Sequence, residues 1–261
     1  MNSRINLKKI QENKWEKNNS LKRKSRYKRG YPVAILLGLE EDYAILWQVY
    51  SHVIKHIVTI KIDDKRSDEK SLYKFHQSII NEIKPIFNMG VRTVITVAPK
   101  TSYSSEFFEY IQKHHRYLVS SKSSTRVNFA DIEGSANNKV AVTELVKSKQ
   151  FFDLIDETTS EEASNIINIL EKSLYSKNET SILYSLKEIE NKLYDKKKIN
   201  ESTRAFLILT DKYLAEYRNK GRIHRLIQLA NNRKIQTRIV KAETSAGSRI
   251  TQFGGIIFFF D

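Results

Sequence analysis

The sequence predicts an α/β protein of two domains that follow a basic N-terminal tail. Short apolar runs bounded by proline or glycine are typical of buried strands, and residues 33–37 between Pro32 and Gly38 are an example. Elsewhere apolar residues recur at three- and four-residue spacing, as in residues 72–86, which is typical of amphipathic helices. Because the two patterns alternate along 261 residues, we expect layered domains of ordinary size.

Positive charge is concentrated in the tail, residues 1–30, where eleven Lys or Arg against two acids give +9 of the net +15. A basic arm predicts a polyanionic partner, because each phosphate contact releases condensed counterions. Trp15 and Tyr27 lie among these cations, and aromatic rings can stack on bases. We therefore predict that the tail binds RNA, with a solvated solubility arm as the alternative. The predicted phosphate contacts are Lys8, Lys9, Lys22, Arg23, Lys24, Arg26, Lys28 and Arg29.

Composition excludes several other classes of protein. The absence of cysteine excludes disulfides, thiolate nucleophiles and cysteine-ligated zinc. No apolar run reaches the 18 or so residues that a membrane span needs, and the N-terminus lacks the apolar stretch of a secretory signal. We expect a soluble, cytoplasmic protein.

The first domain is predicted over residues 31–150. Three strands, at 33–37, 43–50 and 53–62, have short connections and favour an antiparallel meander. The polar loop 63–68 separates them from the helix at 72–86. Strands and helices then alternate: a strand at 91–98, a helix around residues 107–111, a strand near 127–132 and a helix at about 139–148, with a serine-rich loop at 120–125.

The second domain is predicted over residues 151–261. Residues 159–198 favour two helices broken near 176–178, and a helix–sheet alternation follows. Its predicted elements are a strand at 205–209, a helix at 222–230, a strand at 237–240, a turn opened by Gly247 and a strand at 256–260. Gly254 and Gly255 precede the last strand, where glycine permits positive φ and close backbone approach.

Residues 245–260 resemble the closing segment of Pelota and of the archaeal and eukaryotic class I release factors, in which a glycine-rich step leads into the last buried strand. Four other segments resemble the same family in the same order, so the resemblance covers residues 31–261. They are residues 33–47, residues 96–101 with 107–110, residues 181–193 with Tyr184 at the position of a family aromatic, and residues 204–214. The resemblance implies a mixed-sheet, RNase H-like middle domain and an α-β-α C-terminal domain like that of kink-turn RNA-binding ribosomal proteins.

Two departures from the family bear on function. The resemblance does not extend to the family's N-terminal domain, and we expect the basic tail to stand in its place, which suggests the small-subunit region of a ribosome as the target of the tail. Release factors carry a catalytic Gly-Gly-Gln after the third strand, whereas residues 63–71 contain no glycine and no glutamine. Gln77 lies inside the predicted helix and cannot replace the loop glutamine. In this respect the chain resembles Pelota, which does not hydrolyse peptidyl-tRNA.

The resemblance implies a non-hydrolytic, ribosome-binding translation factor that occupies the A site during rescue of stalled ribosomes or during hibernation. Ribosomal RNA is its expected partner, with tRNA and a translational GTPase as further partners, and we predict no membrane association and no cofactor. One alternative is a peptidyl-tRNA hydrolase of the related quality-control group, which would depend on Gln77. Another is a binding module for small structured RNAs.

Further candidate residues lie outside the tail. The resemblance places Lys65 and Arg66 where release factors approach the acceptor end of tRNA, so phosphate contact is predicted, with a charged surface turn as the alternative. The cations of residues 218–238 are predicted either to bind RNA or to form a generic basic surface. The acids Glu40, Glu41, Asp42, Asp63 and Asp64 could form a two-metal cluster, but adjacent acids in turns are commonly exposed, and no metal is predicted. The six histidines lack ligand spacing and are predicted to be structural.

Overall fold

The computed structural model describes residues 30–87, 90–120, 126–175, 182–195 and 205–260, without the side chains of 173–175. The tail cations predicted to bind RNA lie outside the described residues. So do residues 121–125 of the predicted serine-rich loop and the predicted helix break near 176–178.

The first sheet is mixed and has the strand order β3-β2-β1-β4-β5. The predicted meander is confirmed, because β1 pairs antiparallel with β2 and β2 with β3, whereas β4 pairs parallel with both β1 and β5. This arrangement is the mixed sheet that the RNase H-like prediction requires. The strands are β1 (Pro32–Leu39), β2 (Tyr43–Tyr50), β3 (Ile54–Lys61), β4 (Thr93–Ala98) and β5 (Asn128–Glu133).

Helices cover both faces of this sheet. Because side chains alternate along a strand, Leu37 packs on one face and Leu36 on the other. The Leu37 face is covered by α1 (Glu69–Phe87) and α2 (Thr101–His114), and a single 3₁₀ turn (Arg116–Leu118) follows α2. The Leu36 face is covered by α3 (Lys139–Leu145) and the first turns of α4 (Lys149–Tyr175).

The second sheet has the order β6-β9-β7-β8 and lies between two layers of helices. Leu207 and Leu209 pack against α5 and α7, whereas Phe206 and Ile208 pack against α4 and α8. The predicted α-β-α sandwich is therefore confirmed. Its strands are β6 (Ile182–Leu183), β7 (Ala205–Thr210), β8 (Gln236–Val240) and β9 (Ile256–Phe260). Its remaining helices are α5 (Leu186–Tyr194), α6 (Asp211–Glu216), α7 (Lys220–Asn232) and α8 (Ser245–Gln252).

Two predicted helical segments are placed differently by the structure. Helix α4 begins at Lys149, ten residues before the predicted start at 159, because Phe151 in its first turn is buried against the first sheet. The predicted boundary at residue 150 falls in this turn. The second helix predicted within residues 159–198 begins only at Leu186, because Ile182 and Leu183 before it pair with Phe259 and Phe258 of β9. The spacing of apolar residues in one segment does not indicate pairing with a strand so far away in the chain.

The expectation that Gly247 opens a turn is wrong, because Gly247 lies in the first turn of α8. Thr244 caps this helix, since its Oγ1 accepts a hydrogen bond of 3.0 Å from the Gly247 backbone N–H. A Cβ at position 247 would overlap the carbonyl group of Lys241, so the glycine permits close packing of the helix start. The expectation for Gly254 and Gly255 is confirmed, with φ of +96° and +83°.

The two sheets are joined by a polar junction, which we define as Arg92, Asn128, Thr158, Glu162 and Arg238. Asn128 of β5 donates a hydrogen bond of 3.1 Å to the Thr158 carbonyl of α4. Glu162, four residues further along α4, pairs with Arg238 of β8. Arg92 precedes β4, and burial lowers its pKa to about 10, assisted by the like charge of Arg238 and opposed by Glu162. Helix α4 thus connects both cores through buried polar contacts.

Within the part of the chain that the structure describes, no helix has both the length and the apolar character needed to cross a membrane.

Candidate nucleic-acid interface

The loop that joins β3 to α1 is held by hydrogen bonds at the start of the helix. The carboxylate of Asp68 accepts a bond of 2.8 Å from the Ser71 N–H, and the Asp68 carbonyl accepts one of 2.9 Å from Leu72. Ser71 Oγ in turn accepts a bond of 3.1 Å from the Asp64 N–H. Residues 63–68 are therefore a fixed turn that caps α1, as an aspartate at a helix start allows.

Arg66 is engaged by its own protein. Its Nε donates to Glu106 Oε2 at 2.8 Å and its Nη1 donates to the Glu40 carbonyl at 2.9 Å. The guanidinium lies 3.9 Å from the ring centre of Tyr103, a cation–π distance, and the side chain is only 12% exposed. Lys65, the other predicted phosphate contact, is exposed. The two cations therefore differ in their surroundings: Lys65 faces solvent, whereas Arg66 holds the turn to α2 through its contacts with Glu106 and Tyr103.

Replacing Arg66 with Gln should lower the free energy of unfolding by about 1 kcal/mol, since it removes a charge-assisted pair and leaves Glu106 without its partner. Lys65→Gln is the matched control, because it removes the same charge from the neighbouring exposed position and should leave stability unchanged. Urea unfolding followed by circular dichroism measures both. Equal stabilities of the two variants would contradict a bracing role for Arg66.

The acidic residues near this loop accept hydrogen bonds that hold neighbouring turns. Glu40 Oε1 accepts a hydrogen bond of 2.6 Å from Ser135 Oγ, and the Asp42 carbonyl accepts one of 2.8 Å from the Ile62 N–H. Among the described residues, no three His, Asp or Glu side chains converge in a way that could hold a metal ion. Their geometry fits turn residues.

The cations of residues 218–238 also divide into two groups. Arg222 forms a bidentate pair with Glu190, Arg233 donates to the Asp195 carbonyl at 2.9 Å, and Arg238 is buried against Glu162. These three stabilise the sandwich.

The cations that face solvent are Arg218, Lys220, Arg225 and Lys234. Arg218 and Lys220 line a shallow cavity of about 610 Å³ together with Tyr217 and Asn219.

Gln77, on which the hydrolase alternative depends, lies in the middle of α1. Its Oε1 accepts a hydrogen bond of 2.6 Å from the Tyr110 hydroxyl, and its Nε2 donates one of 2.9 Å to Asn81. A glutamine held at both ends of its amide inside a helix is not free to orient a water molecule on a loop.

Comparisons with known proteins bear on the fold. No protein-family model matches the chain, and no curated protein sequence matches it. Among solved structures, archaeal Pelota in a model of ribosome-bound Pelota and ABCE1 matches 87% of this chain and 61% of its own chain, at 14% identity and a TM-score of 0.51. The chain has a Pelota-like fold. It spans less than two thirds of the length of that relative. Saccharomyces cerevisiae Dom34 matches 90% of this chain and 64% of its own, at 18% identity and a TM-score of 0.46, and Archaeoglobus fulgidus Pelota matches 93% and 68%, at 16% and 0.40.

Within this Pelota-like fold, the residues predicted from the sequence do not converge on one described site. Lys65 lies in the turn before α1, whereas the exposed cations of the second domain lie on and beside α7. Sequence patterns could not separate exposed from engaged cations, because the partners of Arg66 and Arg238 lie far away in the chain.

Proposed function

We propose that the protein is a ribosome-binding translation factor that does not hydrolyse peptidyl-tRNA. The observation that carries this proposal is a Pelota-like fold in which the turn between β3 and α1, residues 62–68, contains neither glycine nor glutamine. The protein would occupy the A site of a ribosome, in rescue of stalled ribosomes or in hibernation. Ribosomal RNA is its main partner, and its site of action is the cytoplasm.

The solved relatives support the choice of partners. The archaeal Pelota was described bound to a ribosome together with ABCE1, and Dom34 was described as a termination-like factor of RNA quality control that interacts with Hbs1. For this chain we propose binding to the ribosome, contact with tRNA and contact with a translational GTPase. The exposed cations around α7 are the candidate surface for the RNA of this complex, since exposed Lys and Arg engage phosphate.

The position of Gln77 favours this proposal over the hydrolase alternative. Release of a peptide needs a group that positions water at the ester bond, and the Gln77 amide is already bonded to Tyr110 and Asn81 within the protein. The third candidate, a module for small structured RNAs, shares the basic surfaces. Crosslinking in cells distinguishes it, since recovery of mainly free small RNA would contradict ribosome binding.

Tail variants test the proposal directly. Replacement of Lys22, Arg23, Lys24, Arg26, Lys28 and Arg29 with Gln should weaken co-sedimentation with ribosomes about ten-fold or more. The salt dependence of binding should also fall, because fewer phosphate contacts mean that fewer counterions are released on binding. The matched control loses the same charge from exposed lysines of the body. Its substitutions are Lys139, Lys147, Lys149, Lys172, Lys187 and Lys212, each to Gln. Unchanged sedimentation of the tail variant, or equal loss in both variants, would contradict the proposal that the basic tail binds the ribosome.

A further inference from the structure

Helices α1 and α2 present a surface of aromatic and histidine side chains on the outer side of the first domain. Tyr73 of α1 contacts His114 and Tyr110 of α2, with ring centres 5.1 and 5.4 Å apart. His115 and Tyr117, just after α2, extend the row, with ring centres 5.9 Å apart. We name these five residues the α1–α2 aromatic surface. None of them belongs to the tail or to the turn at Lys65.

Two tyrosines of this surface face solvent to an unusual degree. Tyr73 is 45% exposed and Tyr117 is 53% exposed, and His114 beside them is also exposed. Large rings of this kind are normally partly covered, so exposed rings grouped on one face are available for a partner. The exposed tyrosine and histidine rings are flat and amphipathic, so they suit a partner that also has flat rings with polar groups at their edges.

The inner residues of the surface are fixed. The Tyr110 hydroxyl donates to Gln77 Oε1 at 2.6 Å, and the His115 ring nitrogen lies 3.3 Å from the same oxygen. Burial raises the pKa of Tyr110 to about 12, so its hydroxyl keeps the proton that it donates. The exposed rings therefore rest on an ordered base, which reduces the conformational entropy that binding would cost.

Cations lie next to these rings in the sequence. Lys74 and Lys113 are exposed and adjoin Tyr73 and His114 in sequence, and exposed Arg116 adjoins Tyr117. Lys84 lies close enough to His115 to help lower the pKa of that imidazole, after the larger effect of burial. Residues 69–77 and 109–117, which carry these rings, contain four cations (Lys70, Lys74, Lys113 and Arg116) and two acids (Glu69 and Glu109), a net charge of +2. The local charge therefore favours a polyanion.

We propose that the α1–α2 aromatic surface is a second RNA-binding site, at which Tyr73 and Tyr117 stack on unpaired bases of a single-stranded segment. Stacking rings bordered by Lys and Arg are the means by which proteins bind single-stranded RNA without reading its sequence. In double-stranded RNA the bases are stacked on one another and cannot reach such rings. The site takes single-stranded RNA in preference to a duplex, and it does so independently of the tail.

The test uses the full chain carrying the six tail substitutions to Gln, so that the tail contributes little to binding. Affinity for a fluorescent single-stranded oligouridylate is measured by anisotropy, with a duplex RNA as competitor. Tyr73→Ala and Tyr117→Ala should each weaken binding about ten-fold, the loss expected for one stacked base. Tyr73→Phe and Tyr117→Phe keep the ring and should keep the affinity, which separates stacking from any effect on folding.

Tyr194→Ala is the matched control, because Tyr194 is 59% exposed and belongs to a different surface, the end of α5. Equal affinities of the Tyr73, Tyr117 and Tyr194 variants would overturn the proposal, as would equal binding of duplex and single-stranded RNA. Each variant, with the native tail, is also sedimented with ribosomes. Loss of sedimentation with unchanged oligouridylate affinity would assign the surface to a protein partner on the ribosome. That result would overturn the RNA-binding proposal but would leave the proposed function as a ribosome-binding factor in place.

Discussion

Replacing Glu162 with Gln is expected to lower the free energy of unfolding by about 3–5 kcal/mol, the usual cost of leaving a buried charge without its partner. Glu162 and Arg238 are both buried, and Arg238 Nη2 lies 3.3 Å from Glu162 Oε1. Arg92 adds a second positive charge to the same junction. In the variant, two guanidinium groups would face each other without the carboxylate that offsets their repulsion. Urea unfolding of the full chain measures the loss.

Asp156→Asn is the control for this prediction. Asp156 lies on the same helix, six residues before Glu162, and pairs with Lys241, but this pair is exposed to solvent. Exposed ion pairs contribute about 0–1 kcal/mol. If both variants lost the same stability, the junction would not be the contact that secures the two sheets to α4.

Stability should fall as the pH is lowered, and His76 is a main cause. This side chain is 2% exposed, it packs against the rings of Phe107 and Tyr110, and its Nε2 has no hydrogen-bond partner among the described residues. Burial lowers its pKa from 6.5 to about 4, and the nearby charge of Arg66 adds to the effect. Between these two values the unfolded chain binds more protons than the folded one, so the free energy of unfolding decreases as pH falls.

The expected loss from His76 between pH 7 and pH 5 is about 2 kcal/mol. His76→Phe removes the titrating group while it keeps a ring in the pocket, so the pH 7 to pH 5 difference should shrink by that amount. Burial also lowers the pKa of His115 and of His224, so part of the acid sensitivity should remain in the variant. His56→Asn, at an exposed position, is the control. Identical pH profiles for His76→Phe and the unmodified chain would contradict the assignment.

Much of the architecture could be predicted because the deciding patterns are local. The apolar run at 33–37 identifies a strand without knowledge of its partners. Apolar residues at three- and four-residue spacing in residues 72–86 identify a helix in the same way. The predicted strand at 43–50 has the observed bounds, Tyr43–Tyr50. Gly254 and Gly255 marked the turn before the last strand because no other residue tolerates their positive φ equally well. The absence of glycine and glutamine from the loop before α1 is likewise readable from the residues alone.

The functional surfaces could be predicted only in part. Lys65 and Arg66 are neighbours with the same charge, but one is exposed and the other is bound to Glu106 and Tyr103, forty and thirty-seven residues further along the chain. Tyr73 and His114 also lie far apart in sequence, and their contact arises from the packing of α1 on α2. No periodic pattern records such pairs.

The sequence by itself determined the two α/β domains, the concentration of positive charge in residues 1–30 and the lack of glycine and glutamine in the loop before α1. These depend on composition and on the spacing of neighbouring residues, which fix local backbone preference and charge. The tertiary structure alone decided that α4 joins both cores, that Arg66 and Arg238 are engaged, and that Tyr73 and Tyr117 share one exposed face. Those features arise from contacts between distant segments, where packing and desolvation outweigh local preference.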